Sequence, residues 1–139
     1  MSATAAVPGR SAALTVVYIE DNLANVRLME QLAARRQGIT LIHAMQGGLA
    51  LELITSSRPG LILLDLHLPD MSGEEVLRRL RAESITRRIP TVVVSADASP
   101  GQIRRILEMG ASGYLTKPFD VEELLLWFDN PHRMEGESL

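Results

Sequence analysis

Residues 61–73 read LILLDLHLPDMSG and place an acidic residue directly after four apolar residues. Such a short, uninterrupted apolar run predicts a β-strand that is buried on both faces, as strands of a parallel sheet usually are. Residues 65–73 then predict a loop, because Pro, Asp, Ser and Gly cluster there. Asp65 therefore stands at the carboxyl end of a buried strand.

The pattern of an apolar strand followed by a helix occurs five times along the chain. The other strands are predicted at 14–19, 39–44, 91–94 and 113–115. Apolar residues at helical spacing predict helices at 23–36, 48–57, 74–82, 100–109 and 121–128. The apolar sides of the first two helices are expected to include Leu23, Leu49, Leu53 and Ile54. Five such units predict an α/β fold, a doubly wound parallel sheet with helices on both faces.

The composition favours one globular domain and excludes several classes of function. The chain has 139 residues, a formal net charge of −3 and no Cys. Without Cys there is no disulfide, Cys-ligated zinc or thiol nucleophile. The charge provides no field that favours nucleic acid, no apolar run is long enough to span a membrane, and the start lacks signal-peptide features. We expect a flexible leader at 1–13, the folded domain at 14–128 and a polar tail at 129–139.

Polar side chains follow four of the predicted strands. Glu20 and Asp21 come after the first strand, and Asp65 comes after the third. Ser95 and Lys117 follow the fourth and fifth strands. Because ligands of open α/β sheets bind beyond the carboxyl ends of the strands, we expect these groups to converge at one edge. Converging carboxylates repel one another, a divalent cation such as Mg²⁺ relieves that repulsion, and a carboxylate can also act as a nucleophile that forms an acyl phosphate.

Each of these residues also has a simpler structural interpretation. Any one of them could form a turn, cap a helix or lie exposed in a loop. Their common placement at one edge of the sheet favours the functional interpretation.

A basic stretch surrounds the third predicted helix. We interpret it as a solvated face whose charges pair with Glu74, Glu75 and Glu83, rather than as a nucleic-acid site. Its members are Arg78, Arg79, Arg81, Arg87 and Arg88.

Four segments resemble the CheY-like receiver domain of response regulators in two-component phosphorelay signalling. They are 17–22 (VYIEDN), 61–73, 92–96 (VVVSA) and 113–119 (GYLTKPF). The segments occur in the order that the family has, and the resemblance spans about residues 14–128. It implies a flavodoxin-like fold with strand order 2-1-3-4-5.

The resemblance assigns phosphoryl transfer and metal binding to individual residues. Asp65 matches the phosphoacceptor. Asp21 matches the acid that ligates Mg²⁺ (or Mn²⁺) directly, and Glu20 matches the acid that holds the ion mostly through water. The backbone carbonyl of His67 would be the remaining protein ligand.

The resemblance also assigns the groups that respond to phosphorylation. Ser95 and Lys117 match the pair that contacts the phosphoryl group, with the backbone of Ala96 beside them. Tyr114 matches the switch aromatic that turns inward when Ser95 engages that group. Pro118 implies a cis peptide bond after Lys117, which costs little before proline.

The resemblance implies a signalling switch that receives its phosphoryl group from a histidine kinase or a phosphotransfer domain and then binds an unidentified downstream protein. As an isolated chain it would catalyse only its own phosphorylation and dephosphorylation, in the cytoplasm, and phosphorylation could drive a homodimer. The chain could instead be a receiver module of a hybrid sensor histidine kinase, itself attached to a membrane. An Asp-dependent phosphohydrolase is a further alternative, but such an enzyme would need an acid where His67 stands. Nucleotide binding is disfavoured because neither G-x-G-x-x-G after the first strand nor G-x-x-x-x-G-K-[ST] occurs. The intact acids and Lys117 disfavour a degenerate receiver that serves only for docking.

Overall fold

The computed structural model describes residues 13–133, in which five strands and five helices alternate. Residues 1–12 and 134–139, which carry most of the predicted leader and tail, lie outside the described part. In chain order the elements are β1 (Leu14–Ile19), α1 (Leu23–Ala33), β2 (Ile39–Ala44), α2 (Gly47–Ser57), β3 (Leu61–Asp65), α3 (Gly73–Ala82), β4 (Thr91–Ser95), α4 (Pro100–Glu108), β5 (Gly113–Thr116) and α5 (Val121–Asp129).

The five strands form one parallel sheet in the order β2-β1-β3-β4-β5. This order and the alternation of strands with helices confirm the predicted flavodoxin-like fold. In the central pair, Ile19 lies opposite Leu64, so Glu20 and Asp65 follow at the same edge. None of the helices within residues 13–133 is long and apolar enough to cross a membrane.

The sheet has a hydrophobic layer on each face. Val16 and Tyr18 of β1 pack with α1 and α5, whereas Val17 and Ile19 pack with α2, α3 and α4. Both sets are almost completely buried, because successive side chains of a strand point to opposite faces. Burial on both faces explains why the central strands contain hardly any polar residue.

Helix α1 ends earlier than the apolar spacing predicts. Its last residue is Ala33, and the next backbone bonds join Arg35 to Leu32 and Arg36 to Ala33. Bonds that span three residues tighten the last turn of a helix, which stops the α-helical pattern before residue 36. Leu23, which we predicted on the inner side, is 53% exposed.

The inner side of α2 was also predicted wrongly in part. Ala50 and Ile54 are buried, whereas Leu49 is 47% exposed. The helix begins at Gly47, where an added Cβ would lie 2.7 Å from Cγ of Met71. This close approach turns the side that carries Gly47, Ala50 and Ile54 toward the core, and it turns Leu49 outward.

Candidate functional site

Three carboxylates meet at the carboxyl edge of the sheet. Glu20 and Asp21 follow β1, Asp65 ends β3, and one oxygen from each lies within 4.8 Å of the others. Parallel pairing of β1 and β3 produces this proximity, since it aligns the ends of the two strands. The structure therefore brings together the three acids that the strand ends predicted.

Glu20 is buried but well supplied with hydrogen-bond donors. Its side chain is 1% exposed, and Oε1 accepts bonds from Nζ of Lys117 at 2.9 Å and the hydroxyl of Tyr18 at 3.0 Å. The side-chain amide of Asn25 donates to the same oxygen at 3.2 Å. Burial alone would raise the pKa of Glu20, but the bonds from Lys117 and Tyr18 contribute to a net lowering. Glu20 is thereby held as a carboxylate.

Asp65 accepts fewer hydrogen bonds than Glu20, and its pKa is shifted in the opposite direction. Its Oδ1 accepts the backbone N–H of His67 at 3.2 Å, and Oδ2 lies 3.7 Å from Nζ of Lys117. Burial, together with repulsion from Glu20, raises its pKa to about 6. Asp65 is still mostly ionised at neutral pH, but as a poorly solvated carboxylate.

The loop after β3 closes tightly against Asp65. The backbone N–H of Gly73 donates to the carbonyl of Leu66 at 2.9 Å. A Cβ added at Gly73 would lie 2.5 Å from the backbone oxygen of Asp65, so only glycine fits at the start of α3. This contact fixes the backbone that carries Asp65.

Ser95 ends β4 beside these acids and is fully buried. Val94, the residue before it, lies opposite Asp65 in the sheet. The Oγ of Ser95 accepts the backbone N–H of Asp97 at 3.2 Å, and the hydroxyl of Tyr114 donates to the backbone oxygen of Asp97 at 2.7 Å. Tyr114 is 6% exposed and packs inward here, so Ser95 and Tyr114 both contact the segment that follows β4.

Lys117 brings positive charge to the acids from the end of β5. Its backbone N–H donates to the carbonyl of Ser95 at 2.8 Å, which places the side chain beside Glu20 and Asp65. The peptide bond between Lys117 and Pro118 is cis, as the resemblance implies.

A family model described as the response regulator receiver domain matches residues 16–128. The chain belongs to the receiver domain family. The match lies within the predicted domain of residues 14–128.

Individual relatives agree with this assignment. The chain is 36% identical over 111 residues to the polar-differentiation response regulator DivK of Brucella anthropi, covering 80% of this chain and 89% of that protein. The receiver domain of a Francisella response regulator is 28% identical, with a TM-score of 0.76 and coverage of 83% and 93%. The receiver domain of a Pseudomonas aeruginosa sensor histidine kinase, solved with magnesium coordinated in its active site cleft, is 29% identical, with a TM-score of 0.75 and coverage of 84% and 95%.

The residues of this receiver fit a divalent cation. Three carboxylates and one ammonium leave two net negative charges in a partly buried site. Carboxylate oxygens are hard ligands that suit Mg²⁺, and Asp21 is exposed at the rim, where solvent can complete the coordination. Glu20, Asp21 and Asp65 could therefore hold the ion, with the backbone carbonyl of His67 on the adjoining loop.

Sequence reasoning missed three residues that support the receiver site. Tyr18 and Asn25 both donate to Glu20, as described above. Asp70 accepts the N–H groups of Gly47 and Gly48 at 2.8 and 2.9 Å, which ties the loop after β3 to the start of α2. Only Tyr18 had a sequence signal, because residues two apart in a strand share a face.

Proposed function

We propose that this receiver accepts a phosphoryl group on Asp65 from the phosphohistidine of a histidine kinase or a phosphotransfer domain, with Mg²⁺ (or Mn²⁺) bound beside it. The observation that carries the proposal is the joint placement of Asp65, Glu20 and Asp21 next to the ammonium of Lys117. A structural role alone gives no reason to bury carboxylates so close together. Glu20, Asp21, Asp65 and the carbonyl of His67 would hold the ion.

The transfer is a displacement at phosphorus. A carboxylate oxygen of Asp65 forms the new P–O bond, the P–N bond of the phosphohistidine breaks, and its electron pair stays on the departing imidazole, which takes up a proton. Asp65 is mostly ionised at neutral pH even without the metal, so its carboxylate can act as the nucleophile. The metal supplies positive charge that offsets the charge of the phosphoryl oxygens.

Lys117 is placed to contribute to the same charge balance. In the unphosphorylated protein it bonds to Glu20 at 2.9 Å and lies farther from Asp65, at 3.7 Å. A phosphoryl group on Asp65 adds negative charge close to that ammonium and attracts it. Tyr18 and Asn25 would then remain as donors to Glu20.

Phosphorylation would change the surface through Ser95 and Tyr114. The hydroxyl proton of Ser95 is available to a phosphoryl oxygen, because Oγ acts as an acceptor from Asp97. Movement of Ser95 would shift the segment at Asp97, to which the Tyr114 hydroxyl is bonded. Such a two-state element, biased by local charge, could alter the affinity of the distal helical face for a downstream protein or a second copy of the chain.

In this proposal the isolated chain turns over only its own phosphoryl group and acts in the cytoplasm. The likeness to DivK supports a stand-alone regulator. A module of a hybrid kinase is the alternative, for which the Pseudomonas receiver is an example.

The proposal is tested by incubating the protein with acetyl phosphate and Mg²⁺. We expect the mass to increase by one phosphoryl group. The increase should not occur when the metal chelator EDTA is present from the start, nor in Asp65→Asn. Asp70→Asn is the matched control, because it removes a carboxylate charge from the loop that follows Asp65 and should still be labelled. Full labelling of Asp65→Asn would contradict the assignment, and turnover of many equivalents of a phosphomonoester would favour the phosphohydrolase.

A further inference from the structure

A cavity of about 460 Å³ lies at the opposite end of the sheet from Asp65. It is bounded by the end of α3, the segments that lead into β4 and β5, and the residues after α5. Pro90 in its wall directly precedes β4, and Ser112 directly precedes β5. Strand β4 runs from this cavity to the phosphoacceptor edge, a length of about 13 Å. We call it the amino-end cavity.

Among the residues that the structure describes, the lining of the amino-end cavity includes four arginines and no acidic residue: Arg81, Arg87, Arg88 and Arg133. The prediction that the basic stretch pairs with nearby glutamates is therefore wrong for part of it. Glu75 pairs with Arg78 and Arg79 on α3. In the part of the chain that the structure describes, Arg81, Arg87 and Arg88 form no ion pair.

Arg81 is fixed in position but incompletely satisfied. Its Nε donates to the carbonyl of Gly110 at 2.9 Å, and its side chain packs so closely there that a Cβ on Gly110 would lie 3.1 Å from its Cγ. Its Nη1 is buried with no hydrogen-bond partner among the described residues. A buried donor without an acceptor is costly, and solvent does not reach this atom where it stands. A shift of the guanidinium toward an acceptor in the cavity would therefore be favourable.

The opposite wall offers a second, rigid guanidinium and an apolar surface. Arg133 lies over the ring of Trp127, 5.2 Å from its centroid. Ile89, Pro90 and Leu107 add apolar area to the lining. Guanidinium groups match the oxygens of phosphates with paired hydrogen bonds, and apolar walls accommodate an organic body.

We propose that the amino-end cavity binds an organic phosphate of nucleotide size, with the arginines on its phosphate groups and the apolar wall against its organic part. The volume lies within the range of small-molecule sites. The site is separate from the phosphoacceptor, so the two can be occupied independently.

The proposal is tested with the full chain by recording amide NMR spectra during titration with ADP, in buffer without Mg²⁺. We expect the shifts to concentrate at residues 110–112, and adenosine without phosphates to cause no comparable shifts. Arg87→Ala combined with Arg88→Ala should weaken ADP binding at least tenfold. Both arginines are exposed, so the double variant should keep the fold.

Arg78→Ala combined with Arg79→Ala is the matched control, because it removes the same charge from residues outside the cavity. It should leave ADP affinity within twofold. No shift at 10 mM ADP, shifts confined to the surroundings of Asp65, equal binding of adenosine, or equal weakening in both double variants would each overturn the proposal. Labelling of Asp65 by acetyl phosphate is a separate measurement, so failure here leaves the proposed phosphoacceptor function standing.

Discussion

The two ends of the sheet carry opposite charge and hold it in different ways. At the carboxyl edge, Glu20 and Asp65 are almost completely buried and share one ammonium, that of Lys117. At the amino-end cavity, Arg87 and Arg88 are exposed and have solvent as their alternative partner. The formal net charge of −3 reveals neither cluster.

Burial, more than the number of charges, decides how much a cluster of like charges destabilises the fold. Like charges in a poorly solvated site repel strongly, whereas exposed charges are screened by water and salt. We therefore expect changes at the carboxyl edge to alter both stability and its dependence on pH and metal. Changes to the exposed arginines should act mainly on ligand binding.

The largest expected effect comes from Lys117→Met, which removes the ammonium but keeps an apolar side chain. Glu20 would lose a buried ionic partner, which typically costs about 3 kcal/mol of unfolding free energy. Urea unfolding at pH 7.5 without divalent cations measures the loss. Added Mg²⁺ should restore more than half of it, because the cation supplies positive charge to the same carboxylates.

Arg36→Met is the matched control for Lys117→Met. Arg36 bonds to Asp129 at 2.8 Å in an exposed ion pair, and such pairs contribute about 1 kcal/mol or less. Mg²⁺ should not change the stability of this variant more than it changes that of the parent protein. Equal losses of unfolding free energy in the two variants would mean that the buried carboxylates do not depend on Lys117 to offset their mutual repulsion.

A smaller effect, of opposite sign, is expected for Asp65→Asn in the metal-free protein. The pKa of Asp65 is raised from 3.8 to about 6 in the folded state, so ionising this group destabilises the fold as pH rises. The amide should therefore stabilise the protein by about 2–3 kcal/mol at pH 8. This gain should shrink through pH 6 and vanish near pH 4, as followed by urea unfolding across that range.

Asp70→Asn should show the reverse dependence. Hydrogen bonds from Gly48 and Gly47 hold the pKa of Asp70 below its usual value. Its carboxylate stabilises the fold above the ordinary pKa, and this contribution is lost as pH falls through the lower folded pKa. The variant should thus be destabilised at neutral pH, and less so in acid.

A stabilisation by Asp65→Asn that did not vary with pH would exclude relief of ionisation as its cause.

The sequence was most informative where backbone geometry alone determines the outcome. Apolar strands separated by helices predicted the parallel sheet, and strand ends predicted that Glu20, Asp21 and Asp65 meet. Side-chain packing was less accessible, since the close contact at Gly47 reversed the expected side of Leu49.

Side-chain contacts between distant parts of the chain, other than the convergence of the strand ends, were not predicted. The bond from Arg81 to Gly110 joins residues 29 positions apart, and no local pattern signals it. Nor could spacing show that Lys117 lies nearer to Glu20 than to Asp65, because that depends on tenths of an ångström in the folded protein.

The smallest effect concerns Tyr18, which lies beneath the acids and donates to Glu20 at 3.0 Å. Tyr18→Phe keeps the buried ring and removes one hydrogen bond to a charged acceptor, a loss of about 1.5 kcal/mol. Urea unfolding of this variant, of Glu20→Gln and of the double variant forms a cycle that isolates the pair. A coupling near zero would show that Lys117 and Asn25 alone satisfy Glu20. A clear coupling would show that a residue of the hydrophobic layer, Tyr18, stabilises the carboxylates of the carboxyl edge. Within residues 13–133, the exposed Arg87 and Arg88 have no such buried partner.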